Sequence, residues 1–308
     1  MQKQFKYKDI TWIDLESPSS EEVAEVAKRF NIHPLAAGEL SARSLRPKVD
    51  LYDDYIYLVL HFPNHSDSER VKNEEKDTVE VDFVVGKDWL VTTSYEELEP
   101  MQEFGKIFEA NGVLADGKKT LHAGHLMYDI IKHLYQSLEH NLESINYSLK
   151  KAETKVFAGN EREMVKVLAR INKNLLDFRS TLKTHREVLR SLETGGKDFF
   201  GESFVYYLRA IIGEFEKAWD ELENSRDFFN ELKQTNESML SIKTNETMKA
   251  LTLAAALFVP VSVIATIFGM NMISVPFKTR PEGFFLVIGI MMLATVVTYG
   301  YFRHKRWL

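Results

Sequence analysis

The chain has 308 residues, of which 27% are charged and 44% hydrophobic, and its formal net charge is −6 at pH 7. The acidic balance disfavours nucleic acid as a partner and suits cations. Cysteine is absent, which excludes disulfide bonds and thiolate metal sites. Residues 1–12 show neither an apolar signal core nor an Arg/Ser-rich presequence, so we expect no secretion or organelle import.

Residues 1–120 alternate strand-like and helix-like patterns, and this alternation predicts a cytoplasmic α/β domain. Ile10 to Leu15 is typical of a strand, and Ser19 or Ser20 can cap a helix from Glu21 to Phe30. Three runs rich in β-branched and aromatic residues predict further strands of the same sheet, at 55–62, 78–85 and 89–93. Between them, the polar residues 64–77 predict a solvated loop.

Residues 121–246 predict a bundle of long, coiled-coil-like helices, because apolar residues recur there at three- and four-residue steps. We expect the first helix to end at Gly159-Asn160 and the second at Gly195-Gly196. No proline interrupts Gly201 to Val259, which predicts one continuous helix from about residue 202 to 270 that enters the membrane. The seam of the first helix is predicted to hold Met127, Ile131, Leu134, Leu138, Asn141, Ile145, Leu149, Ala152 and Val156.

Two uncharged stretches, Ala250–Met270 and Gly283–Phe302, are long enough as helices to cross a hydrocarbon core of roughly 30 Å. Backbone groups in lipid must be satisfied within a helix, so residues 247–308 predict a transmembrane hairpin with a basic tail. Basic residues are more frequent just before the first span and just after the second span than in the loop between them, which holds only Lys278 and Arg280. The positive-inside bias therefore places both termini in the cytoplasm, and a prokaryotic inner membrane is the expected location.

A register of small and polar residues continues along the long helix into the first span. Around a symmetry axis, several copies of such a face would form a water-filled channel with hydroxyl rings and apolar constrictions. The alternative is that Ser262 and Thr266 bond back to carbonyls of their own helix, as hydroxyls in membrane helices do. The register holds Ser241, Asn245, Met248, Leu251 or Thr252, Ala255, Val259, Ser262 and Thr266.

Gly269-Met270-Asn271 closes the first span, a short loop follows, and the chain ends in a basic segment with Trp307 and Leu308. Together with the preceding KTNETMKALT at 243–252, this arrangement resembles the CorA family of divalent-cation transporters. The resemblance covers most of the chain and extends more weakly to Trp12–Leu15, Ile32–Leu35 and Arg46–Lys48.

The resemblance implies a homopentameric funnel in the lipid bilayer that passes Mg²⁺, often with Co²⁺ and Ni²⁺, without enzymatic activity and without a cofactor. Asn271 would form the selectivity ring, since neutral amide oxygens accept hydrogen bonds from the water shell that Mg²⁺ gives up reluctantly. Gly269 would let the backbone turn, and Met270 would pack. By the family pattern, Ser241 and Asn245 lie on the inner pore face, Met248 and Leu251 form a hydrophobic gate, and Ser262 and Thr266 lie beneath the ring.

Two features depart from the family pattern. The loop after Asn271 carries Lys278 and Arg280 against Glu282, which predicts weaker capture of cations at this mouth. Gln234 stands where family members often have an aspartate.

Cytoplasmic metal between subunits closes the pore in the family, with Mg²⁺ as a regulatory ion. The residues for it here are unassigned, with the carboxylates of Asp53, Asp54, Asp82 and Asp88 as weak candidates.

Other interpretations stay open. His122, His125, Asp129 and His133 share one helix face and have donors that suit a first-row metal, although an ordinary polar face is the simpler interpretation. A zinc transporter of the related branch and a membrane-anchored coiled-coil scaffold are the alternative functions. The motifs of nucleotide-binding loops, serine hydrolases and zinc proteases are absent.

Overall fold

The computed structural model describes residues 2–7, 9–63, 78–114, 122–270 and 282–305. The chain divides into two compact units, Met1–Gln234 and Thr235–Leu308. The loops predicted at 64–77 and after Asn271 lie outside the described residues. The predicted boundaries at residues 120 and 246 stay predictions.

A six-stranded sheet forms the base of the first unit, in the order β1-β2-β6-β5-β4-β3. Strands β2 and β6 pair in parallel, and the other neighbours are antiparallel. All four predicted strands are confirmed to within one residue. The strands are β1 (Gln2–Tyr7), β2 (Ile10–Glu16), β3 (Lys48–Leu51), β4 (Ile56–Pro63), β5 (Thr78–Val85) and β6 (Trp89–Ser94).

Eight helices are described, and a short 3₁₀ turn at Glu202–Phe204 leads into the longest of them. Their bounds are α1 (Ser20–Arg29), α2 (Pro34–Glu39), α3 (Glu99–Leu114), α4 (Ala123–Phe157), α5 (Glu161–Leu182), α6 (His185–Phe200), α7 (Val205–Gly269) and α8 (Gly283–His304). The predicted uninterrupted helix is confirmed, because α7 continues through Pro260.

One face of the sheet is covered by α1 and α2. Ile13 and Leu15 on β2 share a buried apolar cluster with Val23 and Val26 of α1. Ser19, one of the two predicted caps, begins α1 with a reciprocal capping box: its hydroxyl accepts from the Glu22 N–H and the Glu22 carboxylate accepts from the Ser19 N–H.

The other face is covered by the longer helices, because alternate strand residues point to opposite sides. Trp12 packs edge-on against Phe104 and Phe108 of α3. Phe62 of β4 contacts the rings of Tyr135 on α4 and His185 on α6. These aromatic contacts tie the helical layer to the sheet.

The predicted seam of α4 is correct except at one position. Asn141 is only half-buried, and Leu142 is fully buried in its place. The step from Leu138 to Leu142 to Ile145 keeps apolar side chains on one face, which the amide of Asn141 would interrupt.

The predicted helix end at Gly195-Gly196 is wrong. Helix α6 continues to Phe200, and the break falls earlier, between Leu182 and His185. The two glycines serve close packing: a Cβ on Gly195 would collide with the side chain of Leu51 on β3, and one on Gly196 would lie 2.9 Å from Cδ1 of Leu208 on α7.

The second unit contains the C-terminal part of α7 and the whole of α8. Both helices are long and apolar enough to cross a membrane, with mean hydropathies of 2.3 and 2.0 over their most apolar windows. Only 6% of each window is buried within the chain, unlike the core helix of a soluble protein. These helices are the two predicted spans.

Candidate functional site

The membrane part of α7 has one face that is partly covered within the chain. Leu253 is buried, and the other less exposed residues follow at steps of three and four. They are Ala256, Leu257, Pro260, Val261, Ile264 and Phe268.

Helix α8 shows a matching pattern. Phe302 is buried, and the less exposed positions before it again recur at three- and four-residue steps, at Val287, Ile288, Met291, Ala294, Thr295 and Thr298. Two such stripes are expected when a pair of apolar helices packs along one side of each other. The rest of the surface of both helices is left for lipid or for other chains.

The predicted pore register lies on the opposite side of α7. At 3.6 residues per turn, its members lie about half a turn away from the stripe that contains Leu253 and Ile264. In the single chain they are exposed: Met248 to 60%, Leu251 to 72% and Val259 to 58%. The exposed set also includes Ser241, Asn245, Thr252, Ala255, Ser262 and Thr266.

The hydroxyl of Thr266 donates a hydrogen bond to the carbonyl of Ser262 at 2.7 Å. This is the back-bonded arrangement that the sequence left open. It uses the hydroxyl hydrogen and leaves the lone pairs of the exposed oxygen free to accept from water. Back-bonding and a place on a water-filled path are therefore compatible at Thr266.

Gly269 is the last residue of α7, and an added Cβ there would meet nothing within 4 Å among the described residues. Packing against this part of the chain therefore gives no reason for the glycine. Met270 is 47% exposed. Asn271 and the basic residues Lys278 and Arg280 lie outside the described residues, while Gln234 is exposed on α7.

The four candidate metal ligands near the start of α4 do not converge. His122 precedes the helix, and its Nδ1 accepts from the Gly124 N–H at 3.2 Å. The His122 and His125 rings lie 4.2 Å apart and pack against Phe204. Burial, with His125 close by, lowers the pKa of His122 to about 4.

His133 points to a different neighbour, since its Nε2 lies 3.8 Å from Glu103 of α3 and its ring contacts Phe104. Within the described part of the chain, His, Asp and Glu form no group of three or more that could hold a metal ion. The structure therefore favours the simpler interpretation of this face.

Of the four aspartates considered for regulation, Asp53, Asp54 and Asp88 are exposed. Asp82 is not an ordinary solvated carboxylate. It lies inside β5 and is fully buried, near the equally hidden Glu80. The sequence signal for this pair is TVEVDFVV, in which two acids replace apolar residues at alternate positions of one strand face.

The family model of the CorA-like Mg²⁺ transporter protein matches residues 7–305. The chain is similar to the cobalt/magnesium transport protein CorA of Thermotoga maritima, with 28% identity over 303 residues that cover 97% of this chain and 83% of that protein.

The solved structure of the CorA magnesium transporter from Methanocaldococcus jannaschii matches with a TM-score of 0.82 at 22% identity, over 97% of this chain and 92% of that one. The ZntB cytoplasmic domain from Vibrio parahaemolyticus matches with a TM-score of 0.54 at 15% identity, over 78% of this chain and 88% of that one, which shows a common fold alone. Since the family model spans the α/β sheet, the long helices and both apolar helices, the chain belongs to the CorA family of ion transporters.

Proposed function

We propose that this chain forms a divalent-cation channel of the inner membrane whose main cargo is Mg²⁺, with Co²⁺ and Ni²⁺ as further cargo. Five copies surround an axis, and the register of α7 from Ser241 to Thr266 faces it. The observation that carries the proposal is the exposure of this register on the side of α7 opposite its partly covered stripe.

A central axis is favoured on energetic grounds. Hydroxyl groups such as those of Ser262 and Thr266 gain nothing from lipid, where an unpaired polar group is costly. Water in a central path satisfies them, and such a path needs several copies because one α7 helix encloses no space. The apolar residues Met248 and Leu251 then form a constriction that closes by excluding water.

At the outer end, Asn271 from each copy supplies a neutral oxygen. Mg²⁺ holds its first water shell tightly, so a ring of amide oxygens selects the hydrated ion by accepting hydrogen bonds from that shell. The ion is cargo and also a regulatory ligand, and the protein needs no cofactor. Both termini face the cytoplasm, and the loop charges of Lys278 and Arg280 reduce electrostatic capture of the ion.

Flux into proteoliposomes with Mg²⁺, Co²⁺, Ni²⁺ or Zn²⁺ tests the proposal. We expect Mg²⁺ to enter and Asn271→Ala to reduce its flux to the level of empty vesicles while the oligomer persists. Thr295→Ala is the matched control, since this α8 hydroxyl is bonded to the Met291 carbonyl and lies outside the register. Unchanged Mg²⁺ flux in Asn271→Ala would remove the selectivity ring from the account.

The same assay separates the alternatives. A zinc transporter would pass Zn²⁺ in preference to Mg²⁺. A membrane-anchored scaffold would pass none of the four ions.

A further inference from the structure

A cluster of buried polar groups lies at one end of the sheet, on the face that α1 and α2 cover. Its centre is Glu80 and Asp82, which occupy alternate positions on β5 and therefore point to the same side. Their side chains are 4% and 0% exposed. Two ionised carboxylates side by side without water would be strongly unfavourable.

The surroundings divide the charge unequally between the two carboxyl groups. The backbone N–H of Ser44 donates to both oxygens of Glu80, at 2.9 and 2.8 Å, and Nε2 of His61 lies 3.5 Å from the same carboxylate. These partners stabilise a negative charge on Glu80. One oxygen of Asp82 is 3.5 Å from the Tyr95 hydroxyl, while Oδ1 is buried and has no hydrogen-bond partner among the described residues.

We propose that Glu80 and Asp82 form a proton-binding latch, in which a proton on Asp82 keeps the α2–β3 connection, residues 40–47, closed over the sheet. Glu80 holds Ser44 in the middle of that connection. The Tyr95 hydroxyl, beside Asp82, lies 3.1 Å from the carbonyl oxygens of Glu39 and Ala42, where the connection begins. The latch thus contacts the connection at two points.

Loss of the proton places a second negative charge beside Glu80 and drives the two side chains apart. Among the described residues, the titratable or charged groups near the pair offer little compensation. They are Tyr57 and His61 from β4, Tyr95 after β6, Glu39 from α2 and Arg43 from the connection. The guanidinium of Arg43 is already paired with Glu96 at 2.6 Å.

The titration of the two acids follows from these contacts. Burial, and then the charge of Glu80, raises the pKa of Asp82 well above 3.8. Burial alone would raise the pKa of Glu80, but the nearby His61, the N–H of Ser44 and the carboxyl group of Asp82 together outweigh it and lower that pKa below 4.5. The stabilisation of the closed connection by protonated Asp82 is therefore lost as pH rises through the raised pKa of Asp82. The stabilisation by ionised Glu80 is lost only as pH falls through the lowered pKa of Glu80.

Two measurements on the full-length protein in lipid nanodiscs test the latch. The first is infrared difference spectroscopy between wild type and Asp82→Asn. We expect the carbonyl band of a protonated carboxylic acid in wild type at pH values above 3.8, the ordinary pKa of an aspartate, and we expect Asp82→Asn to lack it. Absence of this band from the wild type, or its persistence in Asp82→Asn, would overturn the proposal.

The second measurement is hydrogen exchange of the peptide that covers residues 40–47, expressed as protection relative to an unstructured chain. In wild type, protection should fall by up to about tenfold per pH unit between the ordinary and the raised pKa of Asp82, because opening releases one proton.

Asp82→Asn keeps the shape without this titration, so its protection should be independent of pH over the same pH range. Asp53→Asn, at an exposed site before β4, is the matched control and should behave as wild type. Equal pH dependence in wild type and Asp82→Asn would contradict the latch. If Asp82→Asn does not fold, the wild-type protein alone tests the proposal. Loss of its carbonyl band as pH rises would support the latch, and a band that stays at all pH values would exclude a releasable proton.

Discussion

At the junction of α5 and α6, His185 is completely buried, and its Nδ1 lies 2.8 Å from the hydroxyl of Tyr135. Its ring also contacts Phe62 of β4 and Phe215 of α7, so one imidazole joins four elements. Burial lowers the pKa of His185 to about 3. The folded protein therefore requires this histidine to be neutral.

We predict that His185 makes the first unit sensitive to acid. The unfolded chain binds a proton near pH 6.5 and the folded chain does not, so stability is fully present above pH 6.5 and is lost as pH falls below it. The loss should reach about 2 kcal/mol by about pH 5, at roughly 1.4 kcal/mol per unit.

Thermal unfolding followed by tryptophan fluorescence checks this prediction. His185→Gln keeps a polar group near Tyr135 without the titration, so its unfolding temperature should vary less with pH. Tyr135→Phe should lower stability at every pH by about 1–3 kcal/mol, since it leaves a buried imidazole nitrogen without its partner. Identical acid sensitivity in wild type and His185→Gln would show that another group is responsible.

At the scale of helices, glycines inside α6 and α7 have opposite roles. A Cβ on Gly196 would lie 2.9 Å from the buried side chain of Leu208, whereas a Cβ on Gly213 would have no neighbour within 4 Å in the described ranges of the chain. A glycine within a helix costs about 0.5–1 kcal/mol relative to alanine when space is free.

Gly213→Ala should therefore raise the free energy of unfolding by up to about 1 kcal/mol. Gly196→Ala should not, because the new methyl group forces Leu208 to move within a packed interior. Denaturant unfolding of the two variants checks this pair. Equal stabilisation in both would mean that close packing at Gly196 has no energetic role.

The secondary structure could be predicted where the local pattern and the tertiary environment agree. Strand β4 is a nearly continuous apolar run because both of its faces are buried, and α1 has a complete cap in sequence. Strand β1, read as QKQFKY, is polar and pairs only with β2, so its formation depends on a partner strand. The continuation of α6 through two glycines depends on Leu51 and Leu208, which lie far away in sequence.

The candidate site was likewise predictable where local spacing determines it and not where it depends on tertiary structure. The register on α7 could be predicted because helical spacing decides which residues share a face. Its placement opposite the partly covered stripe required the structure. The buried pair Glu80 and Asp82 escaped prediction because a polar residue in a strand ordinarily indicates the solvent face.

At the scale of the whole molecule, the chain is a member of a family of ion transporters and not an enzyme. In the single chain, the register of α7 is exposed, and the apolar segments of α7 and α8 are hardly covered by the rest of the chain. That surface is incomplete without a bilayer and, as we propose, without further copies. The number of copies is a property of contacts between chains and is not encoded in the pattern of one helix.

The absence of cysteine permits the most direct test, because single cysteines can be placed along α7 without background. Ser262→Cys introduces a thiol in the register, and Ile267→Cys introduces one about 140° away around the helix, at a residue 53% exposed in the chain. A charged, membrane-impermeant thiol reagent is added during Mg²⁺ flux. The account predicts block in Ser262→Cys and none in Ile267→Cys or wild type. Full flux in modified Ser262→Cys, or equal block in both variants, would contradict a pore lined by this face.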